Sequence, residues 1–64
     1  MNLSNEDGTW PNETAANYIG VTGPTMRVWV HQRRVPFVRV GRLVRFRKCD
    51  LDEWLDSHAV EPTA

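Results

Sequence analysis

The fold is decided by residues 20–47, which read GVTGPTMRVWVHQRRVPFVRVGRLVRFR. Thr22 can accept N–H bonds as the N-cap of a helix that runs to about Gln32. The residues of this helix that are spaced to face a core are Met26, Trp29 and Val30. Pro36 cannot continue a helix, and the pattern after it changes from a helical period to alternation. The stretch therefore predicts a helix followed by strands.

Alternating apolar and basic residues on both sides of Gly41 predict a β-hairpin. Gly41-Arg42 suits a two-residue turn, because glycine adopts a positive φ without steric cost. The pleat of the strands then predicts one apolar face and one basic face. The residues expected on the apolar face are Val38, Val40, Val44 and Phe46, and those expected on the basic face are Arg39, Arg45 and Arg47.

One further helix is predicted on each side of this unit. Before it, Pro11 suits a first helical turn, apolar residues continue to Ile19, and Gly20 stands just past the end. After it, acidic residues from Asp50 onward favour a helix N-terminus. The inward residues of this third helix are Leu51, Trp54 and Leu55. The predicted fold class is α+β: a small winged helix-turn-helix of three helices, with a two-stranded β-hairpin wing between helices 2 and 3.

Length allows one small domain. A chain of 64 residues buries only about 60% of its unfolded surface, so its core is small and leaves no room for a deep catalytic cleft. We predict a flexible N-terminal arm over residues 1–9, a winged-helix DNA-binding domain over residues 10–58 and a flexible tail over residues 59–64.

Several classes of chemistry are disfavoured by composition. The single cysteine, Cys49, cannot form an internal disulfide, which favours a reducing, intracellular setting. With only His31 and His58 it cannot supply the four ligands of a structural zinc site. No stretch approaches the roughly 18 apolar residues of a membrane span, and the N-terminus lacks a signal-peptide pattern. We therefore expect a non-enzymatic protein with no cofactor, no metal and no membrane association.

Charge follows three blocks along the chain. Residues 1–26 carry −3, residues 27–48 carry +8 and residues 49–64 carry −5, so a net charge of zero hides a strongly positive middle. A folded surface that gathers this block attracts a polyanion. The helix-turn-helix layout indicates double-stranded DNA, because the second helix of such a unit enters the major groove. The expected location is the cytoplasm of a bacterial host cell, at the nucleoid.

The candidate DNA contacts follow from this layout. The start of the second helix offers backbone N–H groups to phosphates and side chains to base edges. Arg27 is the best single candidate on that helix. With the turn and the wing included, the predicted DNA-binding residues are Thr22, Gly23, Thr25, Arg27, Val28, Arg33, Arg34, Arg39, Gly41, Arg42, Arg45 and Arg47. If about six basic residues neutralise phosphates, log affinity falls with log salt at a slope near −5.

Residues 14–55 carry a set of motifs that is specific when taken together, although each motif alone occurs in unrelated folds. The motifs are Ala15-Ala16, Gly20-Val21-Thr22, TMRVW at 25–29, Val35-Pro36, the wing at 38–42, Arg45-Phe46-Arg47 and DLDEWL at 50–55. This stretch resembles the small winged-helix excisionases, also called recombination directionality factors. It is also similar to the DNA-binding domain of MerR regulators.

The resemblance implies a function. Small excisionases bind repeated sites beside a phage attachment site, bend the DNA and help a site-specific integrase to excise the prophage, without catalytic activity of their own. The implied partners are double-stranded DNA, an integrase and further copies of the chain in head-to-tail contact on DNA. The alternative is a transcriptional regulator of MerR or prophage type, although MerR regulators usually add a dimerisation helix and effector domain, which the sequence after Ala59 lacks. A third hypothesis is a protein-interaction module whose acidic third helix meets the basic hairpin of a neighbour.

Two positions depart from the family pattern. Relatives usually carry glycine where Arg33 stands, so this arginine either adopts a left-handed conformation at a cost of about 1 kcal/mol or the helix ends otherwise. At this position we expect the Arg33 side chain to contact a DNA phosphate. Gly23-Pro24 replaces more polar residues at the start of the second helix, which favours readout through DNA shape and phosphates.

Some of these residues also have structural interpretations. The wing arginines could form a solvated face that protects an edge strand from aggregation. Arg27 could pair with an acidic side chain of another helix, such as Glu13. The large aromatic side chains could stack on single-stranded bases, but their spacing favours core packing. These aromatic residues are Trp29, Phe46 and Trp54, and the role of Trp10 stays open.

Overall fold

The computed structural model describes residues 8–60, which form three helices and one two-stranded antiparallel sheet. The elements are α1 (Asn12–Ile19), α2 (Gly23–His31), β1 (Val38–Val40), β2 (Leu43–Arg45) and α3 (Lys48–Ser57). The predicted α+β winged helix-turn-helix is confirmed. Most of the predicted arm and tail lies outside the described residues, at 1–7 and 61–64. None of the helices in the described part has the length and apolar content to cross a membrane.

The N-terminal ends of α1 and α2 are connected by a side-chain hydrogen bond. Thr22 is the N-cap of α2, as predicted, and its Oγ1 accepts a hydrogen bond from the Thr25 N–H at 3.3 Å. Helix α1 begins at Asn12, one residue later than predicted, because Pro11 has an extended backbone and serves as the N-cap. The Asn12 side-chain amide donates to the Gly23 carbonyl at 3.1 Å. This bond fixes the two helices of the helix-turn-helix unit at their N-terminal ends.

Both of these helices end in a Schellman motif. Gly20 closes α1 with the predicted left-handed conformation, at φ 88°. Arg33 takes the same place after α2, at φ 58°. The Arg33 N–H donates to the Val30 carbonyl at 3.0 Å, and the Arg34 N–H donates to the Trp29 carbonyl at 2.8 Å. Because this bond pattern requires a left-handed residue, Arg33 adopts the strained one of its two predicted conformations.

The core lies between the three helices and the hairpin. Its buried members are Trp10, Ala15, Ala16, Met26, Val35, Phe46 and Leu51, and partly buried residues packed against them include Trp29, Val30, Val44 and Trp54. The predicted core packing of the large aromatic residues is therefore confirmed. Trp10 extends the hairpin, because its N–H donates to the Phe46 carbonyl at 2.7 Å and its carbonyl accepts from the Phe46 N–H at 2.9 Å.

The third helix packs less completely than its pattern suggested. Leu51 is fully buried, but Leu55 is 37% exposed, so the prediction that Leu55 faces inward is wrong. Trp54 is half-buried, and its indole Nε1–H donates to the Arg34 carbonyl at 2.8 Å. This hydrogen bond ties α3 to the turn after α2. It turns one side of α3 toward that turn and leaves Leu55 at the rim.

The hairpin has the predicted two-residue turn. Val40 pairs with Leu43 across Gly41-Arg42, and Gly41 has φ 61°. A two-residue turn places the residues on either side of it directly opposite each other, on the same face of the sheet. Val40 and Leu43 therefore share a face, and they are 52% and 58% exposed.

This register corrects the predicted faces of the hairpin. Val38 pairs with Arg45, and Arg39 pairs with Val44. Since paired residues project to the same side, the prediction of one apolar face and one basic face is wrong. The alternation reverses its phase at the turn, because two residues, and not an odd number, separate the strands. Arg39 and Arg45 consequently lie on opposite faces of the wing.

Candidate nucleic-acid interface

Helix α2 exposes one side to solvent. Met26 is fully buried, whereas Val28 is 50% exposed, and Arg27 and His31 are exposed as well. Thr25 is half-buried, with its hydroxyl 3.0 Å from the Thr22 hydroxyl. Met26 therefore lies on the predicted inward side of the helix, whereas Arg27 and Val28, which are predicted DNA contacts, lie on the exposed side. The exposed side presents a cation next to an apolar side chain, and both kinds of side chain can contact base edges in the major groove.

Gly23 is the exception, since it is buried beneath the side chain of Glu13. A Cβ atom at this position would lie 2.6 Å from Glu13 Oε2 and 2.7 Å from Oε1. Gly23 is one of the predicted DNA-binding residues, but it is not accessible here, because a side chain of α1 crosses the start of α2 at this point. Pro24 has no N–H, and the Thr25 N–H is already bonded to Thr22. The start of α2 thus offers fewer free N–H groups to a phosphate than expected.

Three arginines from three different elements surround one shallow depression. Arg27 comes from α2, Arg33 from the turn after it and Arg39 from β1. The remaining residues around the depression are Val30, His31 and Phe37. The Arg39 guanidinium carbon lies 6.0 Å from the centre of the Phe37 ring, at the outer limit of a cation–π contact. The fold therefore brings α2 and the wing to a common basic surface.

Four exposed arginines have no ion pair within residues 8–60. They are Arg33, Arg34, Arg39 and Arg42, and all four are exposed. Like charges that are gathered on a small domain repel one another unless solvent ions or a ligand neutralise them. We refer to these four residues, together with Arg27, as the basic face.

The other cations have local partners. Arg27 lies 3.4 Å from Glu13, and the two side chains are 65% and 71% exposed. Arg47 lies 2.9 Å from Asp50. Pairs with this much exposure contribute little stability, and a phosphate can replace the carboxylate. The ion pair with Glu13 that was the alternative role for Arg27 is therefore present, and it leaves the guanidinium accessible to solvent.

Among the predicted DNA-binding arginines, Arg45 makes the most side-chain hydrogen bonds within residues 8–60. It is half-buried, and it donates from Nε to the Thr9 hydroxyl at 3.2 Å and from Nη2 to the Thr9 carbonyl at 3.0 Å. Thr9 belongs to the predicted flexible arm, yet these bonds hold it against β2. The contact joins residues far apart in sequence, and no local pattern indicates it.

Lys48 belongs to a cluster between α1 and α3 and not to the basic face. Its ammonium donates to the Asp52 carboxylate at 2.9 Å, and the Tyr18 hydroxyl donates to the same carboxylate. These hydrogen bonds hold the pKa of the Asp52 carboxyl below its ordinary value. The hydrogen bonds to Asp52 also raise the pKa of Lys48 and of Tyr18. Within residues 8–60, no group of His, Cys, Asp and Glu side chains is arranged to hold a metal ion.

Comparison with known proteins identifies the family. No curated protein and no solved structure matches the chain. The family model described as a helix-turn-helix domain matches residues 12–59. This range contains all three helices, the wing and the whole basic face. The chain therefore belongs to the helix-turn-helix domain family, a DNA-binding family that includes excisionase-like proteins.

Proposed function

We propose that the protein is an excisionase-type accessory factor of a phage or mobile element. It binds repeated sites near an attachment site, bends the DNA and directs a site-specific integrase toward excision. Membership of the helix-turn-helix domain family supports DNA binding, and the resemblance of residues 14–55 to small excisionases supports the role in excision. The observation that carries the binding mode is the convergence of Arg27, Arg33 and Arg39 on one depression.

In this mode, α2 lies in the major groove and the wing follows the adjacent backbone. Arg27 and Val28, which are exposed on α2, and the half-buried Thr25 approach base edges and nearby phosphates. An arginine can bond to guanine with two N–H groups, or to a phosphate in the same way. Gly41 and Arg42 form the tip of the wing, where a glycine allows close approach to the DNA backbone. The remaining proposed contacts are Thr22, Arg34, Arg45 and Arg47.

The backbone of Arg33 supports its role as a phosphate contact. A left-handed residue other than glycine costs about 1 kcal/mol, and α1 avoids this cost by ending at Gly20. The Arg33 side chain is exposed and forms no ion pair in the described part of the chain. The Arg33 side chain therefore makes no ion pair that offsets this cost within residues 8–60. A bound phosphate beside the end of α2 supplies one.

Two protein partners complete the proposal. One is the integrase, and the other is a second copy of the chain on the adjacent DNA repeat. Glu53 is exposed on α3, whereas Arg42 is exposed at the wing tip, so the wing of one copy can meet α3 of the next. Contacts of this heterologous kind extend along DNA in one direction. The proposed location is the bacterial cytoplasm, at the nucleoid.

A footprint distinguishes excision from transcriptional regulation. The probe is a set of overlapping genomic fragments around the coding region, including any neighbouring integrase gene, attachment core and promoter. Several protected direct repeats beside an attachment core are the expected result. One protected inverted repeat over a promoter would instead favour a regulator of MerR or prophage type. Failure of the protein to increase excision in a reaction with purified integrase would overturn the proposed role in recombination.

A further inference from the structure

Glu13 is an acidic residue placed in the middle of the proposed DNA-binding surface. It projects from the first turn of α1 and lies across the start of α2. A Cβ atom at Gly23 would meet three atoms of its carboxylate at 2.6, 2.7 and 2.9 Å. Only a glycine therefore leaves room for the carboxylate in this position. On its other side the Glu13 side chain is open to solvent, with 71% of its surface exposed.

Two positive features stabilise the carboxylate there. One is Arg27, whose Nη2 lies 3.4 Å from Glu13 Oε2. The other is the N-terminal end of α2, where the helix dipole favours negative charge. A DNA phosphate that approaches the recognition helix would be stabilised by the same two features. The Glu13 carboxylate thus lies where a DNA phosphate would also be stabilised.

We propose that Glu13 competes with DNA phosphates for Arg27 and thereby weakens binding to DNA of any sequence. In free protein the carboxylate holds Arg27, and binding to any DNA requires that this pair be exchanged or weakened. On random DNA, Arg27 finds only phosphate in return. At the correct site Arg27 gains base contacts in addition, and these outweigh the lost pair. Because the same pair is lost in both complexes, Glu13 lowers specific and non-specific affinity by a similar factor.

This inference rests on the proposed contact between Arg27 and DNA. Its first test is Glu13→Gln, which keeps the shape of the side chain and removes its charge. Asp56→Asn is the matched control, because it removes one negative charge from an exposed position of α3 that has no ion pair within residues 8–60. Dissociation constants are measured by fluorescence anisotropy on a footprinted duplex and on a shuffled duplex, over a range of salt concentrations.

We expect E13Q to bind the shuffled duplex about two- to fivefold more tightly than the wild type, since Arg27 no longer has to leave a carboxylate before it meets a phosphate. Its affinity for the footprinted duplex should rise by a similar factor, so the ratio of specific to non-specific affinity should stay unchanged. Asp56→Asn should change both constants by less than about twofold.

Two further variants separate this mechanism from a general charge effect. Gly23→Ala adds a methyl group where the carboxylate lies and displaces it without changing any charge, so non-specific binding should strengthen, though less than in E13Q. In an Arg27→Ala background, Glu13→Gln should have little effect, because the residue through which Glu13 acts is gone. Circular dichroism melts verify that each variant is folded at the assay temperature.

The outcomes distinguish the inference from the proposal beneath it. Equal affinities of E13Q and the control, or an undiminished effect of Glu13→Gln in the Arg27→Ala background, would overturn the competition by Glu13 while leaving DNA binding intact. Weaker binding of E13Q to the footprinted duplex would also overturn it, because Glu13 would then contact DNA favourably. Absence of binding by the wild type to every duplex would overturn the proposed function and the inference together.

Discussion

Replacement of Arg45 by alanine should destabilise the fold, although Arg45 belongs to the basic block of the sequence. The guanidinium makes two hydrogen bonds to Thr9, at 3.2 and 3.0 Å, from a half-buried position. Thr9 precedes Trp10, which is 8% exposed and paired with Phe46. Loss of Arg45 therefore loosens the segment that covers one side of the core.

The expected magnitude follows from the two bonds. Hydrogen bonds to a charged group contribute about 1.5–3 kcal/mol each when they are buried. Both acceptors on Thr9 can bond to water after the substitution, so we expect a total loss of about 1–2 kcal/mol. A domain of this length has about 3–10 kcal/mol of stability in all. The corresponding fall in Tm is about 5–15 °C.

Urea titration and thermal melts, followed by far-ultraviolet circular dichroism, measure this loss. Arg42→Ala is the matched control, because it removes the same charge from an exposed position of the same hairpin that has no ion pair within residues 8–60. Its stability should stay within about 0.5 kcal/mol of the wild type. If R45A and R42A unfold at the same urea concentration, the contact with Thr9 contributes nothing and the reasoning is refuted.

Three other perturbations test the core, the strained turn and the α1–α3 cluster. Trp10→Ala removes a buried side chain at a cost of about 3–5 kcal/mol, so the cooperative thermal transition should disappear; a normal melt would contradict the core position of Trp10. Arg33→Gly relieves the left-handed residue at φ 58° and should raise the unfolding free energy in urea by about 1 kcal/mol while weakening DNA binding. Because the Asp52 pKa is lowered, its contribution to stability is present above the ordinary carboxyl pKa and is lost as pH falls through the lowered one. The wild type should therefore be more stable than Asp52→Asn at neutral pH, and the difference should vanish in acid; a difference that does not depend on pH would show that the carboxylate charge is not responsible.

Local signals explain why the helix ends could be predicted closely. Thr22 supplies its own cap, and Gly20 supplies the left-handed residue that a Schellman motif requires, so each boundary depends on residues within one turn. The strain at Arg33 was also visible, because a helix that ends in this way needs the same conformation whatever residue is present. The sequence did not show whether Arg33 adopts the left-handed conformation or the helix ends in another way, and the structure shows the first.

The faces of the hairpin show a prediction that failed although its turn was right. Treating Val40 and Val44 as neighbours on one face continues the alternation through the turn as if an odd number of residues were inserted. A two-residue turn pairs Val40 with Leu43 instead, and every assignment on one strand changes its side. The length of the turn therefore determines which side chains share a face. The alternation of residue types within each strand does not determine this by itself.

The basic face could be predicted as a block but not as a set of individual roles. The charge pattern located the cations, yet the partners of Arg27 and Arg45 lie on α1 and before it. Such contacts depend on how the helices and the hairpin pack, which no local pattern encodes. The same packing placed Glu13 over Gly23, and the sequence indicated Glu13 only as one possible partner for Arg27.

The salt dependence of DNA binding tests the central claim most directly. The basic face contains five arginines, Arg27, Arg33, Arg34, Arg39 and Arg42, and each can neutralise one phosphate. Anisotropy titrations of the wild type on a footprinted duplex should therefore give a slope of log affinity against log salt between about −4 and −5. A slope near zero, or no binding at low salt, would contradict the account of this surface as a DNA-binding face.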